Sequence, residues 1–414
     1  MYNTIVIGGG PAGMMAAIWA AKSNKQVVLL EKNDILGKKL YITGKGRCNI
    51  TNDSDVENHL NQLTGNRKFM YSSFYSFDSF RAVEFFHDLG LATKVERGQR
   101  VFPSSDHSSD VIKAFMKGLE DTGVSVHLNE NVTELIIEGK TVIGVKTNRG
   151  EYKCNHVIIA TGGKSYSMTG STGDGYKFAK QLGHKIVNPI QGLVPMETVD
   201  KDILELQGLS LRNVKLSLFV DPNSNKPVYS VLGEMLFTHF GITGPLVLSA
   251  SSYIPRDIGF DKLRIEIDLK PGLTEAKLDK RLLRDFDKYI NKALKNALID
   301  ILPGSMIPII IKRSGLEPYT PVNQISKEQR LKIIGNLKSF TLHISGLRRF
   351  NEAIITRGGI DVKDIDPHTM ESKNIHNLFF VGEVLDLDAL TGGYNLQIAY
   401  STAYLAGMTI NEKE

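Results

Sequence analysis

A chain of 414 residues is too long for one simple core, and at ~150 residues per domain it holds two or three. Its 42% hydrophobic and 23% charged residues are those of a soluble globular protein, and a net charge of +5, scattered along the chain, gives no ground for expecting nucleic acid as a partner. No apolar run approaches the ~18 residues of a membrane span, and Cys48 and Cys154 make neither a C-x-x-C pair nor a metal spacing, so the expectation is a cytoplasmic protein with no leader, metal or disulfide framework.

The first element is Thr4-Ile5-Val6-Ile7, an apolar run without polar alternation, as in a strand buried on both faces. Gly8, Gly10 and Gly13 follow in G-x-G-x-x-G spacing, with Pro11 and Ala12 opening an apolar helix, and Val27-Val28-Leu29-Leu30 forms the next strand. Such a turn brings backbone close to a pyrophosphate and aims the N–H groups of a helix N-terminus at it. Glu31 ends the second strand 18 residues after Gly13, where a carboxylate accepts from ribose hydroxyls; an acid there favours FAD or NAD over NADP.

Residues 37–52 show neither helical nor strand periodicity, and they place Lys38, Lys39, Lys45 and Arg47 among glycines, with Gly46, Cys48 and Asn49 beside them. The composition suits a loop lying along an anionic cofactor; a solvated basic loop is the competing explanation. Phe80, Val83, Phe85 and Phe86 fit a helix. A second helix follows through Ile112, Phe115, Met116 and Leu119, with Ser108 and Ser109 as cap residues. Short strands around 124–128, 135–137, 142–145 and 157–159 read as a small meander feeding back into the sheet. It ends in Ala160-Thr161-Gly162-Gly163, small residues where the chain passes close to something bulky.

Beyond Pro189 the alternation of Val214-Leu216-Leu218-Val220 and of Ile265-Ile267-Leu269 marks half-exposed antiparallel strands and a second, β-rich domain. Leu278, Leu282, Phe286, Ile290, Leu294, Leu298 and Ile301 predict one helix stopped by Pro303, and Ser326 with Gln329 predicts a capping box for another. Strand alternation resumes at Phe340-Leu342-Ile344. Leu378-Phe379-Phe380-Val381 is then a buried strand ending in Gly382, Glu383 and Asp386, and Gly392-Gly393-Tyr394-Asn395-Leu396 opens the last helix. An acid at such a strand end can face the ribityl or phosphate part of a cofactor.

Gly8-Gly9-Gly10-Pro11-Ala12-Gly13, Thr43-Gly44-Lys45-Gly46-Arg47-Cys48-Asn49, Phe237-Thr238-His239-Phe240-Gly241-Ile242-Thr243-Gly244-Pro245, and Gly382-Glu383 with Thr391-Gly392-Gly393-Tyr394-Asn395 together span the chain. In these residues it resembles the two-dinucleotide-binding-domain flavoproteins, more narrowly the bacterial aminoacetone-oxidase-like NAD(P)/FAD-dependent oxidoreductases. The resemblance implies an α/β fold: a Rossmann-like FAD domain built from both chain ends, an inserted β-barrel-like domain, and a small helical insert. With the periodicity it divides the chain into 1–190 and 357–414 for the FAD domain, 191–271 and 338–356 for the β-rich domain, and 272–337 for the helical insert. It also implies FAD contacts from Glu31, from the loop around Lys38 and Arg47, from Val132 at the adenine, and from Gly382, Glu383 and Asn395 onward.

The expected cofactor set therefore comprises Gly8, Gly10, Pro11, Ala12, Gly13, Glu31, Lys32, Lys38, Lys39, Gly46, Arg47, Cys48, Asn49, Val132, Thr161, Gly162, Gly163, Gly382, Glu383, Asp386, Gly393, Tyr394, Asn395 and Leu396. Arg47, Lys45 and His239 are the catalytic candidates. The expected function is FAD-dependent oxidation or reduction of a small molecule, with hydride transfer through a tightly bound flavin. A plain NAD dehydrogenase and an FAD-binding sensor or scaffold stand as alternatives. No second strand–glycine turn–helix follows the first, so NADH or NADPH, if it is the electron donor, is expected to bind only transiently. Substrate, electron acceptor and oligomeric state stay open.

Overall fold

The computed structural model describes residues 1–23 and 25–412, apart from the side chain of Lys45. The chain forms two compact units, one from Met1–Gly192 with Arg349–Glu414 and the other from Leu193–Arg348. The first unit resumes at Arg349, earlier than the expected 357, because the strand Ile355–Ile360 pairs with Ile186–Gly192 of the same unit.

The sheet of the first unit runs in the order Ser125–His127, Val27–Leu30, Tyr2–Ile7, Glu151–Ile159, Thr141–Thr147, Val132–Glu138, with Leu378–Phe380 added beside Glu151–Ile159. Four of its five parallel strands carry the segments of one edge and are in register: Ile7 stands opposite both Leu30 and Ile159, and Ile159 opposite Phe380. Their carboxyl ends therefore fall on one edge. Ile5, Val6, Val28, Leu29, Val157 and Ile158 are fully buried, at ~1.5–3 kcal/mol for each large apolar side chain. Ser125–His127, expected in the meander, is instead the parallel edge strand next to Val27–Leu30. Its three-residue length carries no signal that separates the two pairings.

The first helix, Pro11–Ala20, is apolar almost all round and correspondingly buried. It lies so close to the final helix, Tyr394–Glu412, that a Cβ on Gly407 would stand 2.7 Å from the Trp19 Cβ. Residues 37–52 are not a plain loop: Lys38–Ile42 is a short helix and Thr43–Gly46 a 3₁₀ turn, too short to leave a periodic signature. The helix Ser108–Asp121 starts without a side-chain cap, since the Ser108 hydroxyl donates to the Tyr41 carbonyl instead.

The second unit is a closed antiparallel barrel of six strands in the order Met196–Thr198, Gly241–Thr243, Tyr229–Phe237, Ser210–Phe219, Arg264–Asp268, Phe340–Leu347. Leu216, Leu218, Ile265, Ile267, Phe340 and Leu342 fill its interior, all fully buried, which is the reason for the period-two pattern. Between Asp268 and Phe340 the chain forms helices Glu275–Lys288, Leu294–Ala297, Met306–Arg313 and Lys327–Lys338. The single helix expected over 278–301 is thus broken after Lys288; Ile290, assigned to its apolar row, is 50% exposed. Pro308 is accommodated in the first turn of Met306–Arg313, where its missing N–H costs no intrahelical bond. The Ser326–Gln329 capping box is present with both hydrogen bonds.

Candidate functional site

The register of the parallel strands places four segments on one edge: Gly8 after Ile7, Glu31 after Leu30, Ala160-Thr161-Gly162 after Ile159, and Val381-Gly382-Glu383 after Phe380. This is the edge at which open parallel sheets hold their ligands. Gly8 has φ +104°, which an L side chain rarely adopts, and a Cβ on Gly13 would stand 1.8 Å from the Gly8 carbonyl oxygen. A Cβ on Gly10 would meet nothing, so backbone there borders open space. Gly10 is also the N-cap of the first helix and supplies no side-chain acceptor, which leaves the first-turn N–H groups of Ala12 and Gly13 without a cap. Turn, open space and uncapped helix together form a cradle for a pyrophosphate.

Glu31 is buried, and its carboxylate is already engaged. Oε2 accepts from the Gly9 N–H at 2.6 Å, and Oε1 accepts from the Asn33 N–H at 2.7 Å and its side-chain amide at 2.6 Å. Glu31, expected at the ribose, thus holds the glycine turn through Gly9. Lys32 is spent on Asp174 and Thr172, each at 2.6 Å.

Beside the glycine turn lies a polar cluster built from all parts of the first unit. The Lys39 ammonium donates to Glu383 Oε2 at 2.8 Å and to the Ser165 hydroxyl at 2.6 Å. The Thr356 N–H donates to Glu383 Oε1 at 2.9 Å, while the Thr356 hydroxyl accepts from the N–H groups of Lys164 and Ser165. A Cβ on Gly163 would reach 2.4 Å from the Thr356 hydroxyl, and one on Gly162 would come 3.7 Å from Glu383 Oε2. A Cβ on Gly382 would reach 2.8 Å from Ala12 Cβ, so the last motif touches the first helix. Ser165 and Thr356 were not among the expected residues; a lone hydroxyl, in a loop as for Ser165 or on the strand Ile355–Ile360 as for Thr356, has no sequence signal.

The other expected residues divide. Asn49 Oδ1 and Thr161 Oγ1 are buried without a hydrogen-bond partner, the condition of groups whose partner is a bound molecule. Gly393 sits against Thr51, where a Cβ would be 2.4 Å from its carbonyl carbon, and Asn395 bonds both ways with the backbone of Ala389. Tyr394 donates to Asn58 and Leu396 packs against the core. The Asp386 N–H donates to Ile360, while the Asp386 carbonyl accepts from Asn66. Lys38 is a half-buried residue 3.6 Å from Asp34, and Val132 is a buried strand residue opposite Thr147. Gly46 closes the 3₁₀ turn before Arg47.

Arg47 does not stand as an uncompensated cation. Its guanidinium bonds Glu96 and Asp106 and lies 4.2 Å from the centre of the Phe102 ring, and the hydrogen bonds it donates to those two carboxylates push its pKa still higher. With Lys94 on Asp106 as well, two positive charges face two negative ones. Cys48 is fully buried, and burial pushes its thiol up to about 12 against a weaker opposing hydrogen bond with Thr43. The side chain of Lys45 lies outside the described residues. His239 belongs to the second unit; it is exposed in the turn between Tyr229–Phe237 and Gly241–Thr243. Among the described residues no three His, Cys, Asp or Glu side chains gather as a metal site, and no helix is long and apolar enough to cross a membrane.

A Rossmann-like unit with this turn, this acid and an added barrel is that of an FAD-dependent oxidoreductase. Residues 2–409 match the HI0933-like protein Rossmann domain, and the chain belongs to that family. It is 29% identical over 412 residues to a 3-dehydro-bile acid delta(4,6)-reductase of Clostridium scindens, covering 99% of this chain and 98% of the other. It is 28% identical to a ribosomal RNA dihydrouridine synthase of Haemophilus influenzae, over 99% of each chain. Among solved structures, a 3-ketosteroid-delta4-(5alpha)-dehydrogenase from Rhodococcus jostii aligns with a TM-score of 0.54 at 14% identity, over 100% of this chain and 97% of that one, which speaks for a common fold.

Proposed function

We propose that this chain is an FAD-dependent reductase that saturates a carbon–carbon double bond conjugated to a carbonyl. The observation that carries the cofactor half of the reading is the single edge on which Gly8, Glu31, Thr161 and Glu383 meet. The substrate half rests on two relatives whose names share one transformation: a 3-oxo steroid with 4,6 unsaturation and a uracil ring are both electron-poor alkenes held next to a carbonyl. FAD, once reduced by the donor, would supply the hydride for the carbon remote from the carbonyl, and a proton from water would complete the saturation at its neighbour.

Within the chain, the cradle at Gly10 and the uncapped first helix would take the pyrophosphate, Glu31 the ribose, and the Lys39–Glu383 pair the region between pyrophosphate and ring. Glu383 is held by Lys39, Ser165 and Thr356, so its carboxylate is fixed before any ligand arrives, which lowers the ordering cost of binding. Arg47, a catalytic candidate by sequence, is given no part in the chemistry, because its charge is balanced by Glu96 and Asp106. NADH or NADPH as a transient donor belongs to the same reading.

The test is anaerobic stopped-flow. Protein reduced by dithionite is mixed with a 4-en-3-one steroid, a 3-oxo-4,6-diene bile acid, a uridine-containing RNA, and an unconjugated alkene. Reoxidation by one of the conjugated acceptors and not by the simple alkene is expected. Reoxidation by oxygen alone would remove the reading. In a second series, oxidised protein is mixed with each nicotinamide; bleaching that saturates only at high donor concentration is expected of a transient site.

A further inference from the structure

The barrel closes on very little of one of its strands. Gly241–Thr243 pairs with Tyr229–Phe237 only at Leu236 and Phe237, whereas Ser210–Phe219 pairs along the other side, from Leu218 opposite Tyr229 to Val214 opposite Gly233, without a break. From Tyr229 to Met235 the second side of this strand is therefore taken by no other strand among the described residues. The backbone donors and acceptors of such an edge are a template for a further strand.

The side chains bear the same mark. Tyr229 and Gly233 belong to the inward row: Tyr229 is buried, and a Cβ on Gly233 would stand 3.0 Å from Leu246 Cδ2. Val231 lies between them in that row, opposite the fully buried Leu216, yet it is 43% exposed. On the outward row Val228 and Leu232 are 42% and 59% exposed. Proteins guard a free edge with charge, proline or a bulge, and here Lys226-Pro227 and Glu234 stand only at its two ends. The stretch Val228-Tyr229-Ser230-Val231-Leu232 between them carries neither charge nor proline. Lys226 and Glu234 are exposed, and neither is ion-paired among the described residues.

We infer that this edge docks the same edge of a second copy of the chain, in antiparallel pairing about a two-fold axis at Ser230. A two-fold pair of strands is isologous, and for the outward rows to share one face the axis must pass through a residue and not between two. With Ser230 opposite Ser230, Lys226 falls opposite Glu234 of the second copy, Val228 opposite Leu232, and Val231 opposite Tyr229, each combination occurring twice. Opposite charges and an aromatic ring beside a β-branched side chain are favoured cross-strand pairs. An axis at Tyr229 or Val231 would instead set Lys226 against Leu232 or Leu236 and leave Glu234 without a cation. The inference goes beyond the proposed reaction, and its test reads association alone.

Sedimentation velocity of the full-length flavoprotein, from low to high micromolar concentration, should show monomer giving way to dimer. Glu234→Lys and Lys226→Glu, both at exposed positions, each turn two attractive pairs into two repulsive ones, and each should dimerise at least about tenfold more weakly. An equimolar mixture of the two variants should recover the dimer, because each substituted residue then faces its opposite charge in the other chain. Flavin content and melting temperature, recorded for every sample, should match those of wild type. As a second reading, hydrogen exchange at Val228 to Leu232 should slow as wild-type protein is concentrated. Wild-type protein that stays monomeric throughout would overturn the inference. So would a dimer that both single variants leave intact, which would lie on a different face, or a mixture that dimerises no better than its components.

Discussion

Lys39 and Glu383 lie 344 residues apart in sequence and form an ion pair of 2.8 Å between Nζ and Oε2, each side chain little more than one-fifth exposed. The pair ties the short helix after the glycine turn to the end of the last strand. Lys39→Met would leave Glu383 with Ser165 and the Thr356 N–H but without a cation. We expect a loss of about 1–2 kcal/mol in stability and weaker flavin retention, with Lys39→Arg restoring most of both. Unchanged melting and unchanged flavin content in Lys39→Met would show that the pair is an idle surface contact.

Gly10 and Gly13 should fail in different ways. A side chain on Gly13 collides with the Gly8 carbonyl oxygen, so Gly13→Ala is expected to lose soluble protein altogether. Gly10 borders open space at φ −79°, so Gly10→Val should fold with the melting temperature of wild-type apoprotein and yet purify colourless. Stoichiometric flavin in Gly10→Val would place the pyrophosphate somewhere else.

The strand–turn–helix at the N-terminus was legible because its signal is local: apolar run, glycine spacing and terminal acid all fall within 31 residues. The strands of the β-rich domain were legible from alternation, since each has one face in a dry interior, whereas their closure into a barrel was implied only by the family resemblance. Ser165 and Thr356 could not be read, because what gives them a role is the approach of segments 191 residues apart. Arg47 shows the opposite failure. Its sequence setting marks a cation, but Glu96 and Asp106, which cancel it, come from a different hairpin and loop. Charge is visible in sequence; its compensation is a tertiary property.

Cys48 is expected to be inert. It is fully buried with φ +59°, and burial pushes its thiol up to about 12, as burial also does for Cys154. The thiolate is the reactive form, so native protein at pH 8 should give no fast reaction with a disulfide reagent, and both thiols should appear on unfolding. Cys48→Ala should keep flavin and turnover. Rapid labelling of one thiol in the native state would contradict the burial and reopen Cys48 as a site residue.

Asp174 gives the protein an acid-sensitive contact. Burial pushes its carboxyl up, but hydrogen bonds from Lys32, Thr172 and Lys177 outweigh this and hold it down at about 2. A carboxyl with its folded pKa below the unfolded value of ~3.9 stabilises the fold above that value, and the contribution disappears as pH falls from ~4 toward 2. Because a quarter of the Asp174 side chain is exposed, water screens the pair and about 1 kcal/mol is the expected size. Urea midpoints measured between pH 5 and pH 2 should fall less steeply in Asp174→Asn than in wild type, with the two curves converging at the acid end. Lys32→Met should flatten the same limb in part, since Thr172 and Lys177 remain on the carboxylate. Parallel curves for wild type and Asp174→Asn over that range would mean that the Lys32–Asp174 contact contributes nothing to the acid limb.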